Sequence, residues 1–344
     1  MSIFSWRKKS GFVGVDLGTY AIKVAEALPG NPPQIKALGQ IRLPRGSILG
    51  GIYKDLEAIT DKLKQLVENL GLKNRPAVVS ISSYAAIIKR LNLNVPAEKD
   101  LESAIYEEAE AHVPFDLDDV YLDYQIFSEE GEVLDLLLVA AKRELVDNVS
   151  NILEEAHLLP TIIDVDVIAL SNLFEYLYQP QETSLIIDLG ASKTSVVLWH
   201  NQSLMANRDI GHGTLEINDI LQEKLNLSFE ESEKLKISGD GAEVQTAKKA
   251  IKEYFEDVIK DVQGTIDYFK SIYADCQIKK IYLCGGGANV PEVNKAFEKG
   301  LKIKTEKLAP FAKIEAKKIH EGSIDYFNHI ACVAIGLGIR ELIS

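Results

Sequence analysis

Cysteine is scarce and scattered. Cys276, Cys284 and Cys332 form neither a Cys-x-x-Cys pair nor a zinc-ligand spacing. That excludes a disulfide framework and reads as small buried apolar side chains in a reducing compartment. The six histidines are spread just as widely, no two at a metal-binding interval, which excludes a centre built on them. Excess positive charge is also missing. A formal net charge of -13 argues against a general nucleic-acid-binding role, because phosphate backbones repel an acidic surface. No apolar run is long enough to cross a bilayer. The opening Met1-Ser2-Ile3-Phe4-Ser5-Trp6 is too short for the core of a secretory signal, and Arg7-Lys8-Lys9 follows it. A cytosolic location is expected.

What is present is a folded chain of 344 residues, 46% hydrophobic, long enough for two domains or one bilobed domain. Gly14-Val15-Asp16-Leu17-Gly18-Thr19-Tyr20-Ala21-Ile22-Lys23-Val24 returns in the second half as Ile186-Ile187-Asp188-Leu189-Gly190-Ala191-Ser192-Lys193-Thr194-Ser195-Val196. Each copy is an apolar strand, Asp-Leu-Gly, a small or hydroxyl residue, and a second β-rich strand. An apolar strand ending in Asp fixes a carboxylate at the mouth of a sheet. Gly lets the backbone turn tightly and approach a ligand, and the amides of such a turn make an anion-binding nest. Carboxylates beside bound phosphate imply a hydrated magnesium ion between them. Two such turns predict two similar lobes closing on one ligand.

Periodicity places strands at 12–17, 20–28 and 35–43, a helix over 55–70 closed by Gly71, and a strand at 76–82. Residues 91–160 read as an αββα insert: an acidic helix over 98–112, strands at 121–127 and 134–141, and a helix over 144–157. It has no glycine-rich turn, so scaffolding or protein contact is its expected role. The second lobe opens with strands at 185–189, 194–200 and 203–210, followed by helices at 213–225, 229–237 and 242–274. A buried strand, 280–284, leads into Gly285-Gly286-Gly287, and an apolar helix over 328–343 ends the chain. The expected division is a flexible arm over 1–10, a first lobe over 11–90, the insert over 91–160 and a connecting segment over 161–182. A second lobe over 183–325, with a helical subdomain at 229–278, and a helix over 326–344 returning to the first lobe complete it. Ile3, Phe4 and Trp6 beside the basic triplet could touch an anionic membrane, but they are too few to anchor there.

Five pieces stand in order: Asp-Leu-Gly-Thr, the acidic segment Asp164-Val165-Asp166 running into Ala169-Leu170, Asp-Leu-Gly-Ala-Ser, the strand with Gly-Gly-Gly-Ala-Asn, and the small-residue C-terminal helix. This order resembles the actin-like ATPase superfamily over nearly the whole chain, and Ser232-Glu233-Lys234-Leu235-Lys236 resembles its Ala-Glu-x-x-Lys helix. The position and content of the insert resemble the FtsA and PilM branch. Val113-Pro114-Phe115-Asp116, Leu122-Asp123-Tyr124-Gln125, Ala140-Ala141-Lys142-Arg143 and the run from Pro160 to Leu170 are similar to the PilM-type proteins of type IV pilus assembly. FtsA-type proteins continue past the last core helix into a membrane-binding amphipathic helix, whereas this sequence stops at Ser344.

The resemblance implies an α/β, actin-like fold of two ribonuclease-H-like lobes around a cleft for ATP or ADP with Mg2+. It assigns Asp16 and Asp188 to the metal through water. Gly18, Thr19, Gly190, Ala191 and Ser192 go to the phosphates, with Gly211 in the turn nearby. Lys23 either neutralises a phosphate or is a strand-edge charge, and Lys193 is a weaker candidate with a side chain expected toward solvent. Glu233 and Lys236 either reach the nucleoside or form an i, i+3 surface pair. Gly285, Gly286 and Gly287 are to pack on adenine and the α-phosphate. Asp164 either orders an attacking water or caps a helix. His212 stands where the superfamily often has glycine, either turned out or altering the pocket near the terminal phosphate. No general base is evident, so any hydrolysis is expected to be slow. The implied partner is the cytosolic N-terminal tail of a PilN-like inner-membrane protein, which would bring the chain to the membrane without a span of its own. Other pilus assembly proteins and self-association are also implied. An FtsA-like filament-forming protein and a small-molecule kinase of the superfamily are the alternatives.

Overall fold

The computed structural model describes residues 11–96, 100–238, 244–273, 276–317, 319–320 and 322–342. The arm expected over residues 1–10 lies outside them.

The first lobe begins with three antiparallel strands, β1 (Phe12–Leu17), β2 (Ala21–Leu28) and β3 (Gln34–Arg42). Helix α1 (Leu56–Leu70) follows, capped by the Asp55 carboxylate, which accepts from the Ala58 amide at 3.0 Å, and closed by left-handed Gly71. Its stripe of Ile59, Leu63, Leu66, Val67 and Leu70 is buried on the sheet. Strand β4 (Pro76–Ile81) then runs parallel to β1.

The insert that follows is larger than expected at its start. Strand β5 (Ala86–Asn94), not foreseen, pairs with the third strand of the insert. After β5 come α2 (Leu101–His112), β6 (Val120–Glu130), β7 (Val133–Lys142) and α3 (Arg143–Glu155). The sheet order is β5-β7-β6, all antiparallel, with α2 packed against it in a core of its own. Helix α3 departs from the αββα expectation. Its apolar side chains Val149, Ile152 and Leu153 belong to the core of the first lobe, because an amphipathic helix buries its stripe wherever an apolar face is offered. The lobe is completed by β8 (Leu159–Val165), parallel to β4, and by α4 (Asp166–Tyr178).

The second lobe repeats this plan. Strands β9 (Ser184–Leu189), β10 (Thr194–His200) and β11 (Ser203–Ile210) are antiparallel. Three helices follow, α5 (Leu215–Leu225), α6 (Phe229–Ser238) and α7 (Val244–Ile272). Strand β12 (Lys280–Cys284) adds parallel to β9, and after α8 (Val293–Leu301) strand β13 (Lys304–Lys307) adds parallel to β12. Two short strands, Glu315–Ala316 and Ile319–His320, add parallel to β3; otherwise the two sheets read β8-β4-β1-β2-β3 and β13-β12-β9-β10-β11, the same order with the same senses. In both β1 and β9 every residue is buried except the Asp, Asp16 in one and Asp188 in the other. A chain buried on both faces has only its carboxyl end free to present a charge.

The last helix, expected to be continuous over 328–343, is two. Ser323 caps α9 (Ile324–Ile330), and Ala331 separates it from α10 (Cys332–Ile339). All eight residues of α10 are buried. Glycine permits this. A Cβ on Gly14 of β1 would stand 2.0 Å from the Ala334 carbonyl oxygen, and one on Gly336 would stand 2.2 Å from that of Ala169 in α4. The backbone of α10 touches that of β1 at the first point and that of α4 at the second. On helix propensity alone, Gly336→Ala would stabilise by ~1 kcal/mol. The Ala169 contact reverses the sign, and the variant is expected to lose about 1–3 kcal/mol. Urea unfolding checks this; a raised midpoint would show that the close contact carries no cost.

Candidate functional site

The carboxyl ends of β1 and β9 face one another, and the turns that follow them meet: the Thr19 and Ser192 hydroxyls lie 2.8 Å apart. Beside them a cavity of about 300 Å3 opens between the lobes, with Asp16, Gly18, Thr19, Lys23, Asp188, Gly190, Ala191, Ser192, Lys193 and Gly211 all on its walls. The duplicated motif thus supplies both sides of one site. Lys23 is no edge charge. Its ammonium reaches Asp16 at 2.8 Å inside the cleft. Burial works to lower the Lys23 pKa, but Asp16, with Asp188 and Tyr326 adding to it, outweighs burial and the value is raised. Asp188 has no such private partner. Burial and the neighbouring Asp16 push its carboxyl up to about 6, against the pull of Lys23.

A second set of charges crosses between the lobes along the cavity. Lys193 does not point to solvent, as expected, but is held at 3.0 Å from Asp166 of α4 and 3.1 Å from Asp209 of β11. Ser83 closes the ring: its amide donates to Asp166 at 2.9 Å and its hydroxyl to Asp209 at 2.8 Å. Asp166 was not foreseen as a site residue. The sequence signal was the Asp-Val-Asp run, from which Asp164 was singled out. Asp164 is in fact absent from the cavity wall. It is buried against Arg340, whose Nε lies 2.8 Å from its carboxylate, and it accepts from the Val165 amide at 2.7 Å. Strand β8 runs on to Val165, so Asp164 is still a strand residue, and the C-terminal segment covers it. Asp166 accepts from Ser83, Val167 and Lys193 at once.

The rest of the cavity wall includes the Gly-Gly-Gly turn and α6. Gly285 has a φ of +81°, and a Cβ there would stand 2.1 Å from the Asp188 carboxylate. Gly286 meets nothing within 4 Å, so a side chain there would enter the open cleft. Gly287 differs from the expectation. It lies off the cavity, and a Cβ on it would strike Leu189 and Thr214 at 2.6 and 2.7 Å, so it serves packing. Glu233 and Lys236 of α6 form an ion pair at 2.7 Å, but in the cavity wall and not on the outer surface. Burial lowers the Lys236 pKa despite Glu233. Asn218, unforeseen, joins them, accepting from Lys236 at 2.7 Å and donating to Glu233 at 2.9 Å. Tyr20 reaches across from the first lobe, its ring 6.2 Å from that of Phe229. His212 is turned out: its ring pairs with Glu216 at 2.9 Å and Asp261 at 3.4 Å and is not on the cavity wall.

The chain is similar to several solved structures. It matches the PilM-PilN type IV pilus biogenesis complex with a TM-score of 0.84 at 24% identity, over 97% of this chain and 99% of that one. It matches the ethanolamine utilization protein EutJ from Carboxydothermus hydrogenoformans with a TM-score of 0.58 at 14% identity, over 96% and 89%. MreB5 of Spiroplasma citri, solved with ADP, matches with a TM-score of 0.57 at 14% identity, over 97% of each chain. These likenesses establish the actin-like fold expected from the repeated turns. Residues 14–342 match the family described as Type IV pilus assembly protein PilM, from the first Asp-Leu-Gly strand to beyond the last helix. With the duplicated turns, the inserted sheet and almost the whole length accounted for, this chain belongs to the PilM family of type IV pilus assembly proteins.

Proposed function

We propose that this protein binds a magnesium–adenine nucleotide between its lobes and, in that state, docks the cytosolic tail of a PilN-like inner-membrane protein. The observation that carries the first half is the meeting of the two Asp-Leu-Gly turns across one cavity. Asp16 and Asp188 are hard oxygen donors at a point where two carboxylates repel, which suits a divalent ion. Two carboxylates do not fill its coordination shell, so water and phosphate oxygens would supply the rest. Bound there, magnesium would neutralise phosphate charge. Lys23 and the turn amides would hold phosphate oxygens, and Glu233, Lys236 and Gly286 would face the nucleoside.

Support for the second half comes from exposed apolar side chains where the first lobe meets the insert. Leu49 (55% exposed) pairs with Ile52 (51%), whose short strand contacts α3, as does α1, which begins at Leu56 (40%); Tyr84 (59%) stands just before β5. A groove between α1 and α3, lined by Leu56, Glu57, Asn148 and Asn151 among others, continues from Leu56. Apolar anchors beside a groove suit an extended peptide. No described helix is long and apolar enough to cross a membrane, so the partner would provide the membrane link.

Four outcomes are expected. Asp188 binds its proton more tightly folded than unfolded, so stability falls as pH rises from its unfolded pKa near 4 through about 6. Asp188→Asn should therefore raise the melting temperature of the nucleotide-free protein at pH 8, by up to about 3 kcal/mol in stability, and the gain should vanish toward pH 4. In calorimetry the same variant should bind ATP with magnesium at least about tenfold more weakly; unchanged affinity would sink the metal assignment. Gly286→Val should fold normally, since nothing lies within 4 Å of its Cβ, yet lose adenine-nucleotide binding. A variant that folds and still binds nucleotide as the wild type does would show that ligand never approaches the turn. Finally, a synthetic PilN-like tail should bind the full chain in an anisotropy titration, and Ile52→Asp should weaken it about tenfold, the loss of one buried apolar anchor. Equal binding by this variant would move the docking site elsewhere.

A further inference from the structure

Among the described residues, one ion pair crosses the cleft outside the cavity. Arg45 of the first lobe and Asp219 of the second form a two-pronged ion pair, Nη1 to Oδ1 at 2.8 Å and Nη2 to Oδ2 at 2.6 Å. Both side chains are exposed, at 62% and 47%. Their neighbours in sequence line the cavity: Ile48 on one side, Thr214 and Leu215 on the other. The pair therefore joins the two walls at the cavity's rim.

Each partner is held from behind. Arg45 sits in a turn in which the Ser47 amide and hydroxyl donate to the Pro44 carbonyl at 3.2 and 2.9 Å, and Gly46 takes a φ of +91°. The Leu43 amide donates to the Tyr20 carbonyl at 3.0 Å, which ties this turn to the residue following Thr19. Asp219 stands on α5 beside Asn218, the residue that bonds both Glu233 and Lys236. A motion that parts Arg45 from Asp219 thus draws the first Asp-Leu-Gly turn away from the helices carrying Glu233.

We propose that Arg45 and Asp219 form a breakable clasp at the rim that sets the rate at which nucleotide leaves the cleft. This rests on the nucleotide reading above and adds its regulation. The planar fork of arginine matches a carboxylate in both oxygens, so the pair is directional as well as attractive. It is also exposed, hence small in strength and screened by salt. Those are the properties of a gate that opens often and is tuned by its surroundings. Neither residue touches the cavity, so loss of the pair changes escape without removing a ligand contact.

The test uses the full chain loaded with a fluorescent N-methylanthraniloyl-ADP and magnesium, chased with excess unlabelled ATP in a stopped-flow instrument. Arg45→Ala and Asp219→Ala should each speed dissociation about two- to fivefold. The exchanged pair, Arg45→Asp with Asp219→Arg, should return the rate toward that of the wild type, which a merely structural role for either side chain would not do. Raising salt from about 0.05 M to 0.5 M should accelerate release more in the wild type than in Arg45→Ala. If a single variant melts early, Arg45→Gln keeps the stem and removes only the charge, and should give the same acceleration. Equal dissociation rates in the wild type and every folded variant would overturn the clasp while leaving nucleotide binding intact. A wild type that retains no nucleotide at all would overturn the nucleotide reading, and the clasp with it.

Discussion

Two carboxylates brought face to face inside a protein repel, and the centre of this molecule is organised around that repulsion. Asp16 and Asp188 end the central strands of two sheets with the same strand order. Neither can retreat, because every other residue of those strands is buried. Lys23 answers one of them at 2.8 Å, while the other keeps a carboxyl pushed up to about 6 by burial and by Asp16. Bringing the two carboxylates together is therefore electrostatically unfavourable, and the divalent cation proposed above would relieve it. Around them the remaining charges pair across the lobes, as Lys193 does with Asp166 and Asp209.

Glycine makes this geometry possible at three kinds of place. At Gly285 a side chain would collide with the Asp188 carboxylate itself. At Gly14 and Gly336 the C-terminal helix comes into backbone contact with the first lobe, so the last residues of the chain become part of its core. At Gly286 no neighbour intrudes, and the absence of a side chain leaves room in the cleft. Only the last of these is what a ligand-binding turn demands; the others are packing. The same motif, read as one unit along the chain, does two physical jobs.

The insert shows how a subdomain can be divided between two masters. Its sheet and α2 have their own core, while α3 gives its apolar stripe to the first lobe. This bonds the insert firmly to the lobe that carries Asp16. It also leaves Leu49, Ile52, Leu56 and Tyr84 uncovered near their junction.

The sequence by itself determined the lobes and where their two carboxylates stand. Apolar strands ending in Asp-Leu-Gly declare their own direction and burial, so the repeat located both turns, both carboxylates and the cleft between them. Helical periodicity placed most of the helices to within a few residues, because an amphipathic stripe is a local pattern, but α4 and α8 were not foreseen and α9 and α10 were read as one. What it did not decide were matters of which side chain faces which. Asp164 and Asp166 are two residues apart, and only the docking of the C-terminal segment, with Arg340, assigns one to the core and the other to the cleft. Lys193 and Glu233 read equally well as solvent-facing charges until the opposite wall is in place. Gly287 is indistinguishable from Gly286 in sequence, yet Leu189 and Thr214 stand against one and nothing against the other. Local pattern fixes an element and its buried face, whereas the partner of a polar side chain comes from residues far away in sequence. Those partners exist only once both lobes have closed.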